Sequence, residues 1–195
     1  MSAIEDSPVY VSLEFTPNPD TLKYSVNRTL LSSGSLSFDS AADAQEQSPL
    51  AHKLLTADGV SAVMLGTTFL TVTRAESGDW DQVHETCSKI IETHLSRNLP
   101  VLTEAALQNR TSSCKESQAT DGDEQKIIQV INNEIRPAVA MDGGDIIFDR
   151  FADGVVYVHL KGACSGCPSS EMTLKNGIET RLKEVLPAVK SVVAV

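Results

Sequence analysis

The chain has 195 residues, enough for one medium domain or two small ones, and its 41% hydrophobic and 22% charged side chains are an ordinary globular composition. Its 26 acidic and 16 basic residues give a formal charge of -10, which repels phosphate backbones and anionic lipid surfaces, so neither nucleic acid nor membrane is an expected partner. No run approaches the roughly 20 apolar residues of a membrane span.

The amino terminus, Met1 to Glu14, carries Glu5 and Asp6 and lacks both a basic start and an apolar run, so it does not read as a secretory signal. A reducing compartment is therefore expected, a bacterial-type cytoplasm, with an organellar matrix as the alternative where a presequence has been removed. In such a compartment a short Cys-x-x-Cys pair is more often a metal or redox site than a structural disulfide.

In chain order, Val9, Val11, Leu13 and Phe15 alternate with polar neighbours, the period of a strand with one buried face. The turn-rich Thr16-Pro17-Asn18-Pro19-Asp20 ends that strand, and further strands follow near 23–27 and 35–40. Ser48-Pro49 opens a short helix with an N-cap and a first-turn proline, burying Leu50, Leu54 and Leu55. Residues 60–74 are β-branched and apolar around Gly66-Thr67-Thr68, a hairpin pattern. A helix over 80–97 closes this part, with Val83, Cys87, Ile90, Ile91, His94 and Leu95 on one face. The expected result is an α+β sandwich of one small sheet and two helices.

From Asn109 to Gly122 nothing large and apolar is present to bury, so this stretch reads as a linker. Residues 1–108 and 123–195 then form two small α+β domains joined by a flexible linker. The second starts with a helix carrying Ile127, Ile128, Ile131, Ile135 and Val139, in which Pro137 should kink or weaken the last turn. Gly143-Gly144 punctuates, and strands over 145–151 and 155–161 meet at the Ala152-Asp153-Gly154 turn. A helix beyond Pro168 buries Leu174, Ile178, Leu182, Val185 and Leu186, and 192–195 could add a strand. The order is helix, strand, strand, helix, strand.

Cys164 and Cys167 stand in Gly162-Ala163-Cys164-Ser165-Gly166-Cys167-Pro168, between a strand and a helix. Amides at a helix amino terminus and the positive end of its dipole favour thiolate, the form that binds metal. Zinc sites, iron-sulfur sites and dithiol oxidoreductases share this spacing. A closed zinc or iron-sulfur site needs four ligands, and the motif offers two. Cys87 belongs to a buried helix face and Cys114 to the polar linker, so neither completes the set. Two identical chains would supply four thiolates about a two-fold axis, with the cluster at a surface where an acceptor's thiolates could reach it.

Met141-Asp142-Gly143-Gly144-Asp145, the 162–170 segment and Thr173-Leu174-Lys175-Asn176-Gly177-Ile178-Glu179 closely resemble the NifU-like carboxy-terminal domain. Thr16 to Tyr24, Ser48-Pro49-Leu50-Ala51 and Asp58-Gly59-Val60 resemble the Nfu amino-terminal domain. The resemblance implies a non-enzymatic scaffold or carrier that holds one 4Fe-4S cluster per homodimer through Cys164 and Cys167. It implies receipt of the cluster from upstream assembly proteins and transfer to apo iron-sulfur enzymes. The first domain would be a partner-docking module without catalytic residues.

Two other readings stay open. A thioredoxin-like oxidoreductase shares Cys-x-x-Cys-Pro, but the 28 residues after Cys167 hold one helix and one strand, too few for the rest of that fold. A zinc-binding interaction module would use His159 or a four-cysteine site across a dimer. Strand alternation places His159 on a half-exposed face. Cys87, His94, His84 and His52 read as ordinary packing, and Asp142 and Asp145 as turn residues around two glycines.

Overall fold

Five antiparallel strands form the sheet of the first unit in this computed structural model, which describes residues 8–113, 122–165 and 168–195. They are β1 (Val11–Phe15), β2 (Thr21–Val26), β3 (Leu36–Phe38), β4 (Val60–Leu65) and β5 (Phe69–Arg74), in spatial order β1-β2-β5-β4-β3. The β4-β5 hairpin falls where 60–74 predicted it, with Leu65 opposite Leu70 and a register shift between Val60 and Ala62. Leu22 and Tyr24, Val63 and Leu65, and Leu70 and Val72 alternate onto the buried face.

Four helices, two more than the sequence pattern announced, belong to this unit: α1 (Ala41–Gln47), α2 (Pro49–Leu55), α3 (Trp80–Ser96) and α4 (Glu104–Ser113). The predicted α2 cap is present, with Ser48 Oγ accepting from Ala51 N at 3.1 Å and donating to the Val101 carbonyl at 2.6 Å. Helix α1 escaped the pattern because it buries only Ala44 and has no apolar stripe. Its start is set instead by Ser40, whose side chain accepts from Asp43 N. Helix α4 is capped by Thr103, whose Oγ1 accepts from Ala106 N at 3.2 Å. It runs to Ser113, into the stretch read as linker, and residues 114–121 of that stretch lie outside the described residues. The chain divides into two compact units, the first ending at Ser113 and the second also taking in Thr16–Pro19.

The second unit has the predicted order. Helix α5 (Gly122–Val130) passes through a π-helical turn (Ile131–Ile135) into α6 (Arg136–Met141); then follow β6 (Gly144–Ala152), β7 (Val155–Gly162), α7 (Pro168–Val185) and β8 (Ser191–Ala194). The predicted distortion from Pro137 takes the form of that π turn. Proline has no N–H to donate and its ring crowds the carbonyl four residues back, and a wider turn relieves both. Asp153 (φ 54°) and Gly154 (φ 84°) form the two-residue hairpin turn between β6 and β7, where left-handed backbone at both positions matches the strand twist. β6 and β7 are antiparallel, while β8 lies parallel to β7 with Val156 opposite Val192. The core joins Ile127, Ile131, Ile146, Val156, Ile178 and Leu182, and Cys164 belongs to it. Among the described residues no helix is long and apolar enough to cross a membrane.

Candidate metal centre

The cysteine motif begins where β7 ends. Gly162, the last residue of β7, pairs with Gly144, the first residue of β6. Gly162 has φ 63° and Gly143 has φ 79°, left-handed conformations that glycine adopts without steric cost. The two turns are stitched together: Ala163 N donates to the Gly143 carbonyl at 3.1 Å, and Ser165 N donates to the Gly162 carbonyl at 3.1 Å. The Asp142-Gly143-Gly144 stretch is thus the platform under the cysteine turn.

Cys164 is only 5% exposed, and its side chain faces Gly144. A Cβ added to Gly144 would lie inside van der Waals contact of Cys164 Sγ, 3.1 Å from Cys164 Cβ and 3.1 Å from the Lys161 carbonyl oxygen. The sequence placed this sulfur near the amino terminus of the following helix. In the structure it lies four residues before α7 begins at Pro168, among apolar side chains. Cys167 and Gly166 lie outside the described residues, as does Cys114.

Asp145 does more than shape a turn. Its carboxylate, 8% exposed at the side chain, takes Arg136 Nε at 2.8 Å and Nη2 at 2.7 Å, and accepts the Ile146 N–H at 2.8 Å. This bidentate pair joins α6 to the start of β6 and so fixes the glycine platform; the nearby carboxylate holds the Arg136 guanidinium even more firmly protonated. Sequence pattern missed it because the partners are nine residues apart on different elements. A positive charge just before Pro137 and a carboxylate just after Gly-Gly were the only signals.

Other ligand candidates go elsewhere. His159 is half-exposed as expected, with Nδ1 2.8 Å from the Val195 carbonyl oxygen and Nε2 3.8 Å from Asp149 Oδ1. Cys87 is fully buried in the first unit's core, and that burial pushes its thiol up to about 12, far from the thiolate a metal needs. His94, also buried, has Nε2 3.1 Å from the Pro100 carbonyl oxygen and Nδ1 3.5 Å from Lys53 Nζ. His84 Nδ1 is 3.2 Å from the Tyr24 hydroxyl, with the rings stacked. Among the described residues, no three or more His, Cys, Asp or Glu side chains converge as a metal site.

Comparison with known proteins adds a family on each unit. Residues 127–193 match the family described as NifU-like domain, and residues 11–98 match the one described as Scaffold protein Nfu/NifU N terminal. Among curated proteins, the chain is 34% identical over 195 residues to the NFU1 iron-sulfur cluster scaffold homolog, mitochondrial, of Drosophila persimilis, covering 98% of this chain and 67% of that protein. It is 36% identical over 183 residues to the protein of that name from Drosophila grimshawi, covering 94% and 60%. The human protein of that name is 34% identical over 185 residues, covering 94% and 71%.

Proposed function

Since the chain belongs to the Nfu/NifU family, we propose that it is an iron-sulfur cluster scaffold and carrier, with Cys164 and Cys167 of two chains holding one 4Fe-4S cluster between them. The observation that carries this is the first cysteine of a Cys-x-x-Cys motif, Cys164, set against a glycine platform in a domain whose relatives are named cluster scaffolds. An iron-sulfur cluster is bound by four thiolates, and one chain's motif offers two. A two-fold partner supplies the rest. The cluster is cargo: in each exchange an acceptor thiol gives up its proton as its sulfur binds iron, the displaced cysteine sulfur takes up one proton in return, and no electron changes hands. Nothing in that sequence needs an enzyme's acid or base.

Upstream assembly proteins would deliver the cluster and apo iron-sulfur enzymes would receive it, the first unit serving as the docking module. The domain bounds we adopt are 1–108, a linker over 109–122 and 123–195, with α4 of the structure extending to Ser113. The relatives named are mitochondrial; an organellar matrix and a bacterial-type cytoplasm both keep thiols reduced, and localisation of a tagged chain separates them.

Anaerobic reconstitution, with iron and sulfide counted and a Mössbauer spectrum taken, tests the function. The expected result is about two irons and about two sulfides per chain, in a 4Fe-4S cluster. Zinc in place of iron, without visible absorption, would establish the zinc module instead.

A further inference from the structure

Gly144 and Cys164 are built for each other. Gly144 opens β6 directly opposite Gly162, and the space a side chain would fill there is occupied by the Cys164 sulfur. The thiol is buried to 5% exposure and packs with the apolar core of its unit. Bound in a cluster, however, the same sulfur must meet an iron that in turn carries inorganic sulfides. A seat so close that a single Cβ on Gly144 would collide with the sulfur leaves no room for that assembly on that side.

We propose that Gly144 is the seat of the Cys164 sulfur: in the cluster-free chain the thiol is stowed against the start of β6, and it leaves that seat to bind iron. Gly144 is a positioning residue, acting through Cys164. The proposal rests on Cys164 being a ligand. The geometry supplies the means of release as well as of storage. The bonds that hold the cysteine turn include Ala163 N to the Gly143 carbonyl and Ser165 N to the Gly162 carbonyl and Asn18 Nδ2 to the Ser165 carbonyl at 3.2 Å, and glycines occupy the left-handed positions 143 and 162 beside it. Those positions turn with little steric resistance, so the turn can rotate the sulfur outward without unfolding β7. Stowing shields the thiol from oxidants and alkylating agents, and loading competes with the seat for the sulfur.

The test uses the full cluster-free chain under reducing conditions, with iodoacetamide as probe and mass spectrometry to read each cysteine. In the native protein Cys164 should alkylate at least about 10-fold more slowly than the same thiol in the urea-unfolded chain, since reaction waits on opening. In Gly144→Ala the added methyl takes the seat, and Cys164 should react near its unfolded rate while amide exchange shows β6 and β7 intact. A thermal-melt cycle gives the second readout, and if Gly144→Ala alone does not fold, the double variant with Cys164→Ala should regain a cooperative melt. Removing the sulfur by Cys164→Ala should at least halve the drop in Tm that Gly144→Ala causes, because the clash is chiefly with that sulfur. Rapid alkylation of native Cys164, or a Gly144→Ala penalty unchanged by Cys164→Ala, would overturn the proposal. Both readouts need no metal, so a chain that bound no cluster would sink the ligand assignment and leave the seat separately measured.

Discussion

Each unit buries a cysteine, and the two burials are made from different backbone. Cys87 sits in the middle of α3, 0% exposed among Tyr24, Val83 and Ile91, with helical hydrogen bonds fixing its neighbours. Cys164 is nearly as buried, yet it stands in a turn that starts at Gly162, beside Gly143, both at positive φ, and rests on Gly144. Low exposure therefore does not separate a core thiol from a proposed ligand. On our proposal the freedom of the backbone that carries it does: helix α3 would release Cys87 only by unfolding, whereas the 162–165 turn would release Cys164 by rotating about residues that lack a Cβ.

The comparison breaks most visibly at the cluster. Cys164→Ala or Cys167→Ala should each abolish stable cluster binding, while Cys87→Ala should keep full iron and sulfide. Its cost should be confined to unit stability, about 1–2 kcal/mol for a small cavity in a packed core. Chemical denaturation and iron analysis of the same samples check both halves. Cluster retained at wild-type iron content in Cys164→Ala would remove the distinction between the two thiols.

Next in size is the support of the cysteine platform. Asp145→Ala leaves the Arg136 guanidinium, 29% exposed, and the Ile146 N–H without their acceptor. The second unit should lose about 2–4 kcal/mol. Differential unfolding monitored at a β6 amide and a β5 amide should show the loss in β6 only.

The first unit answers to pH through His94. Burial, with Lys53 adding to it, lowers this imidazole's pKa below the ordinary histidine value. Above about pH 6.5 it is neutral both folded and unfolded, so nothing is lost there. As pH falls through that value the unfolded chain takes up a proton that the folded chain refuses, and stability declines. His94→Gln should flatten this acid-side slope in urea melts of the first unit.

The smallest effect sharpens the glycine contrast. Gly177 lies in the interior of α7, and a Cβ built there meets nothing within 4 Å. Gly177→Ala should stabilise the second unit by about 0.5–1 kcal/mol through helix propensity alone, the opposite sign from Gly144→Ala. A thermal melt of each variant is enough to compare them.

Much of this was legible in the sequence wherever one local signal sufficed. The 60–74 hairpin, the Ser48 cap, the Asp153-Gly154 turn and the α7 stripe, except for Val185, which is exposed, each follow from periodicity or turn chemistry within a few residues. Helices α1 and α4 did not show: α1 buries only Ala44, and neither segment carries large apolar residues at helical spacing. The π turn before Pro137 is a response to strain, and hydrophobic spacing alone cannot distinguish it from a kink. At the candidate site the residue types were visible and their pairings were not. Arg136 meets Asp145 across two elements, and Cys164 turns inward onto Gly144, contacts that only the folded backbone brings about.

The central claim is that two chains complete one site, so cluster binding and dimerisation form a single equilibrium. A cluster that binds only the dimer must shift the chain toward dimer, and its removal by chelation must shift it back. Sedimentation of cluster-free and reconstituted protein, with iron counted per chain, measures this directly. The account predicts a mostly monomeric cluster-free protein and a loaded dimer with about two irons per chain. A loaded protein that sediments as a monomer with about four irons per chain would contradict it, and would require two further ligands from Cys114 or a small thiol.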